Sequence, residues 1–160
     1  MRTITTKVYQ LAKLSEEMQE KAISNLYDIN VSYDWWQVEY EDAATIGLKI
    51  TSFDLDRNRH AEGKFTTSAD NVAENIFREH GKDCETYKTA QSFMHDKYKS
   101  IEYFGEREEL EADFLKSLLE DYSMILQKQS EYLQSDEAIK DIIEANEYEF
   151  TVDGKLINTL

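Results

Sequence analysis

The stretch YDWWQVEYEDAATIGLKITSFDLD, residues Tyr33–Asp56, changes its hydrophobic period once, and that change decides the fold class. In its first half Trp36, Tyr40, Ala43 and Ala44 recur at helical spacing, with Ile46 nearby and Glu39, Glu41 and Asp42 off the stripe. A strand would instead put Trp36, Val38 and Tyr40 on one face and Trp35 with polar residues on the other. The helix is preferred, starting near Ser32 or Asp34 and stopped by Gly47. From Leu48 the period is two, with Leu48, Ile50, Ser52 and Asp54 alternating with Lys49, Thr51, Phe53 and Leu55. A helix that hands over to a strand within one segment points to an α+β protein.

Upstream, Thr3–Gln10 is β-branched and reads as a first strand. A helix lies within residues 14–30: Ser15 is its N-cap, Glu16 and Glu17 favour its first turn, and Met18, Ala22, Ile23 and Leu26 form its buried stripe. Downstream, RNRHAEG (57–63) reads as a loop and KFTTSA (64–69) as the returning strand of an antiparallel hairpin. Ser68 caps a helix that ends at Gly81, and Asp83 caps another that runs to about Gly105. A long helix follows over Glu106–Gln134, with a stripe of Leu110, Phe114, Leu118 and Tyr122 joined by Ile125 and Leu126. Ser135 caps a last helix, and the C-terminus reads as a hairpin around Asp153-Gly154, the pair that type I′ turns prefer. The expected order is β-α-α-β-β-α-α-α-α-β-β: a small, mostly antiparallel sheet packed against several helices. Residues 83–134 are candidates for a helical hairpin projecting from that body.

The 160 residues contain no proline, no Gly/Ser-rich linker and no internal repeat, which favours a single domain over 1–160. No apolar run approaches the roughly eighteen residues of a membrane helix, and the N-terminus lacks the apolar core of a signal peptide. One cysteine, Cys84, forms no internal disulfide. A cytoplasmic protein is expected. Acids outnumber bases 33 to 18, a net charge of −15. Residues 1–80 contribute −5 and residues 81–160 contribute −10. Such a surface repels nucleic-acid phosphates and attracts basic surfaces, including those with which other proteins hold nucleic acid.

Catalytic patterns are sparse. No P-loop, G-x-G-x-x-G or G-x-S-x-G occurs. His80, Cys84 and His95 lack the paired spacing of zinc ligands, and neither a metal nor another cofactor is expected. Cys84 lies near a helix start, where a thiol can be activated. A small buried cysteine is the preferred reading, because no nucleophile motif surrounds it. Asp54 and Asp56 share a strand face, and with Arg57 they are the residues of an alternative reading, a small metal- or nucleotide-dependent enzyme.

The acidic segment 105–122 offers more. Glu106, Glu109, Asp113 and Glu120 form one helical row, and Glu111 and Asp121 add charge beside it. A spaced row of carboxylates can stand in electrostatically for a phosphate backbone. Trp35 and Tyr33, among carboxylates, are candidate anchors for a partner, while Trp36 and Tyr40 are assigned to the core.

The motifs LSEE-x-x-EKAI (from Leu14), YDWW (from Tyr33), IGLKI-x-x-FD-x-DR (from Ile46) and HG-x-x-CETYKTA (from His80) resemble a family of small proteins from phages and mobile elements of Bacteroidetes, over nearly the whole chain. The resemblance carries over no catalytic residues. It implies a setting in which small acidic proteins counter host defence, anti-CRISPR proteins among them. The expected function is a non-enzymatic inhibitor that binds a basic, nucleic-acid-handling host protein such as a CRISPR effector, without touching nucleic acid or membrane itself. A structural or regulatory phage protein is a further alternative.

Overall fold

A computed structural model describes residues 2–99 and 104–157, with backbone only at 104–106. The chain forms two compact units, one of residues 1–35 with 129–160 and the other of residues 36–128.

In the first unit, β1 (Tyr9–Gln10) is followed by a 3₁₀ turn at Leu11–Lys13 and by α1 (Glu16–Asn25). Ser15 caps α1, its Oγ accepting from the Met18 backbone N–H. The expected strand over Thr3–Gln10 shrinks to its last two residues because its partner β4 (Glu149–Phe150) is itself two residues long. β4 also pairs antiparallel with β5 (Leu156–Ile157), giving the order β1-β4-β5. α6 (Asp136–Ala145) is capped by Ser135 as expected. Leu11, Leu14, Ala22, Ile23, Ile139, Ile143 and Phe150 form this unit's core.

The β4–β5 turn differs from type I′, which needs positive φ at both central residues. Only Gly154 has it, at φ 83°, and Gly154 N–H donates to Thr151 O while Thr151 N–H donates to Lys155 O. This is the three-residue loop that ends in a left-handed glycine.

The second unit opens with α2 (Gln37–Thr45), which begins a few residues later than the sequence places it. β2 (Leu48–Asp54) and β3 (His60–Phe65) pair antiparallel. The returning strand thus starts at His60, inside the segment read as loop. The register shifts between Ile50 and Ser52, so Thr51 is a bulge. The extra residue reverses the alternation: Leu48 and Ile50 are buried before it, and Phe53 turns inward after it, meeting the rings of Trp36 and Tyr40 edge-on at 5.6 and 6.2 Å.

α3 (Ala69–Glu79) is capped by Ser68, and α4 spans Glu85–Lys99. Asp70 in the first turn of α3 pairs with Lys97 in the last turn of α4, each charge at the helix end whose dipole favours it. α5 (Phe104–Leu133) is the long helix. Phe114, Leu118 and Tyr122 are buried, together with Ala90 and Phe93 of α4, Val72 and Ile76 of α3, and Leu48 and Ile50 of β2. Residues of the proposed projecting hairpin therefore pack into a core shared with β2 and α3 instead of standing off it. Leu126 is buried, whereas Ile125, seven residues beyond Leu118 and on the same face, is exposed. Trp36 and Tyr40 lie at the core's edge, half-buried.

Candidate functional site

α5 carries most of the expected partner-binding residues. Its Phe114, Leu118 and Tyr122 stripe faces the core, which leaves Glu109, Asp113 and Glu120 exposed along the opposite face. At 1.5 Å per residue the row from Glu109 to Glu120 is about 16 Å long. Lys116 lies within it and offsets part of the charge. Glu111 is half-buried and sits around the helix from the row. The side chain of Glu106 lies outside the described residues. Tyr33 is exposed and Trp35 half-buried, and both belong to the first unit while the carboxylates belong to the second.

Asp121, outside the row, faces a cleft. Thr89 Oγ1 on α4 donates to its Oδ2 at 2.6 Å. Burial raises its pKa, the Thr89 hydrogen bond opposes that, and the charges of Glu85 and Glu120 add to the rise. The cleft has a volume of about 530 Å³ and lies where the α3–α4 connection meets α2 and α5.

On its wall stands a polar network assembled from three distant parts of the chain. Tyr122 OH donates to Asp42 Oδ2 at 2.8 Å. His80 Nε2 lies 3.3 Å from the same oxygen, buried, and too poorly aligned for a full hydrogen bond. His80 Nδ1 meets Thr86 Oγ1 at 2.6 Å. With Nε2 turned to a carboxylate, the network assigns the ring proton to Nε2 and makes Nδ1 the acceptor of the Thr86 hydroxyl. The imidazole beside Asp42 holds that carboxyl below its ordinary range, burial works against the shift, and the Tyr122 hydroxyl supports it. Burial, followed by the Asp42 charge, pushes the Tyr122 hydroxyl far above its usual value. Glu39, one turn from Asp42 on α2, is raised by burial, partly offset by a backbone hydrogen bond and reinforced by the Asp42 charge. Sequence spacing gives no sign of this network, since Asp42 and Tyr122 are 80 residues apart.

Cys84 lines the same cleft and is exposed, contrary to the buried thiol expected. It follows the turn closed by Cys84 N–H donating to Gly81 O, ahead of α4, so it never reaches the packed face of that helix. His80 Nδ1 is held by Thr86 Oγ1 and Nε2 is buried and turned to Asp42, so neither ring nitrogen is directed at this thiol. His95 is exposed on α4. Among the described residues no group of three or more His, Cys, Asp or Glu side chains is placed to hold a metal ion.

Asp54 and Asp56 do not share a strand face, because β2 ends at Asp54. Asp54 Oδ1 accepts from the Asp56 backbone N–H at 2.9 Å, so the carboxylate caps the β2–β3 turn. Arg57 is exposed on that turn. Among the described residues no helix is long and apolar enough to cross a membrane.

No family model matches this chain, and no curated protein or solved structure is significantly similar to it.

Proposed function

We propose that the protein is a non-enzymatic binding protein that engages a basic surface of a nucleic-acid-handling protein in the cytoplasm of its host cell and inhibits it. The observation that carries this reading is the row Glu109, Asp113 and Glu120, exposed on a helix whose opposite face is locked into a core. Fixed charges bind a complementary surface with less ordering cost than charges on a free arm. The row belongs to a chain of net charge −15, which steers toward basic partners at long range. Tyr33, exposed on the first unit, is a candidate anchor beside the half-buried Trp35. The resemblance to small phage and mobile-element proteins supports a counter-defence setting, with a CRISPR effector as the type of target.

The test is charge reversal. E109K/D113K/E120K changes three exposed positions, so circular dichroism and thermal unfolding should match the parent. Inhibition of a CRISPR effector's target binding by the parent should be lost in the variant. Inhibition that survives the reversal would sink the carboxylate row as the binding element.

The enzymatic alternative rests on Asp54, Asp56 and Arg57, of which Asp54 caps the β2–β3 turn.

A further inference from the structure

A second groove, of about 400 Å³, runs between β3 and α5 within the second unit. Ala61 of β3 and Ala112, Leu115 and Leu119 of α5 give it an apolar floor. Arg59, His60 and Lys116 rim it, and Glu120 is its one carboxylate. That balance reverses the chain's own, 18 bases to 33 acids.

The two full cations on this rim are not consumed by the fold. Lys116 makes no ion pair among the described residues, although Glu120 stands one turn away. Arg59 donates one N–H to Gln127 Oε1 at 2.9 Å, which anchors its guanidinium to α5. Its other N–H donors have no partner among the described residues. A guanidinium and an ammonium over an aliphatic floor form a site for an anionic head group on an apolar body. Charge-assisted hydrogen bonds to the head gain strength where the body excludes water. No Phe, Tyr or Trp lines the groove, and its floor of alanine and leucine side chains favours an aliphatic body. From Ala112 to Leu119 the floor extends about 10 Å.

We propose that this groove binds a small aliphatic carboxylate, with its chain along Leu115 and Leu119 and its head group between Arg59 and Lys116. Decanoate, kept below its micelle concentration, is the probe, titrated by calorimetry and by two-dimensional NMR of the full chain. Binding should saturate at one equivalent and move the signals of Ala61, Leu115 and Leu119. R59Q/K116Q, two exposed positions, should weaken it by about tenfold or more without changing the circular dichroism. Decyltrimethylammonium, with the same chain and a cationic head, should bind at least about tenfold more weakly than decanoate. Absence of saturation, shifts confined to other surfaces, parent-like affinity in R59Q/K116Q, or equal binding of the cationic amphiphile would each overturn the proposal.

Discussion

Replacing Phe114 with alanine tests whether α5 is clamped to a core or stands away from it. Phe114 is 3% exposed, stacks on Phe93 at 4.3 Å with planes 5° apart, and tilts against Phe65 at 5.5 Å. Burying a phenylalanine side chain contributes about 1.5–3 kcal/mol. The cavity left by truncation brings a core Phe→Ala change to about 3–5 kcal/mol. Two ring contacts, each worth about 0.5–1.5 kcal/mol, place Phe114 in the upper half of that range. A loss of about 4 kcal/mol, at a urea slope near 2 kcal/mol per molar, lowers the unfolding midpoint by about 2 M. Urea titration followed by far-ultraviolet circular dichroism measures it directly. On a projecting helix the ring would be solvated and the substitution would cost under about 0.5 kcal/mol. A value that small would refute the packing on which the carboxylate row depends.

The polar network and the bulged hairpin lead to further expectations. Tyr122→Phe removes one hydrogen bond to a carboxylate that is half open to water, so thermal unfolding should show a loss of about 1 kcal/mol. Asp121 has a folded pKa above its unfolded value, so its ionised form opposes folding at neutral pH and protonation relieves this as pH falls through the raised pKa. Asp121→Asn keeps an acceptor for Thr89 and should raise stability at pH 7, with the advantage fading toward pH 4. Equal stability of the two proteins at all pH values would contradict the assignment. Asp42 has the opposite sign: its stabilisation is present above the ordinary carboxylate range and is lost as pH falls through its lowered folded pKa. Gly63 sits opposite the bulge, where an added Cβ would stand 2.4 Å from Lys49 O and 3.2 Å from Leu119 Cδ2, so Gly63→Ala should cost about 1–3 kcal/mol in the same titration.

Much of this architecture is legible in the sequence. The order of eleven strands and helices, the serine caps at positions 15, 68 and 135, and the Phe114, Leu118 and Tyr122 stripe all follow from local pattern. These signals act over a few residues, within reach of periodicity and capping chemistry. What escapes the sequence depends on distant partners. The brevity of β1 is set by β4, and the inward turn of Phe53 by a bulge across from Gly63. The exposure of Cys84 is set by a turn that holds it ahead of α4. The site divides the same way. Exposure of Glu109, Asp113 and Glu120 follows from the stripe on the other side of their helix. Asp121, expected to add to that acidic surface, lies seven residues beyond Phe114, lines the cleft and accepts from Thr89 on α4. No local pattern links Asp42 to His80, Thr86 and Tyr122.

The fixed carboxylate row is proposed to capture a basic nucleic-acid-handling protein. The most direct test is capture from a defence-competent host lysate with the parent protein and with E109K/D113K/E120K side by side, eluting with rising salt. A basic effector should be retained by the parent alone, released by moderate salt and displaced by its own RNA or DNA. Retention of the same protein by the charge-reversed variant, or a bound partner indifferent to both salt and nucleic acid, would contradict the proposal.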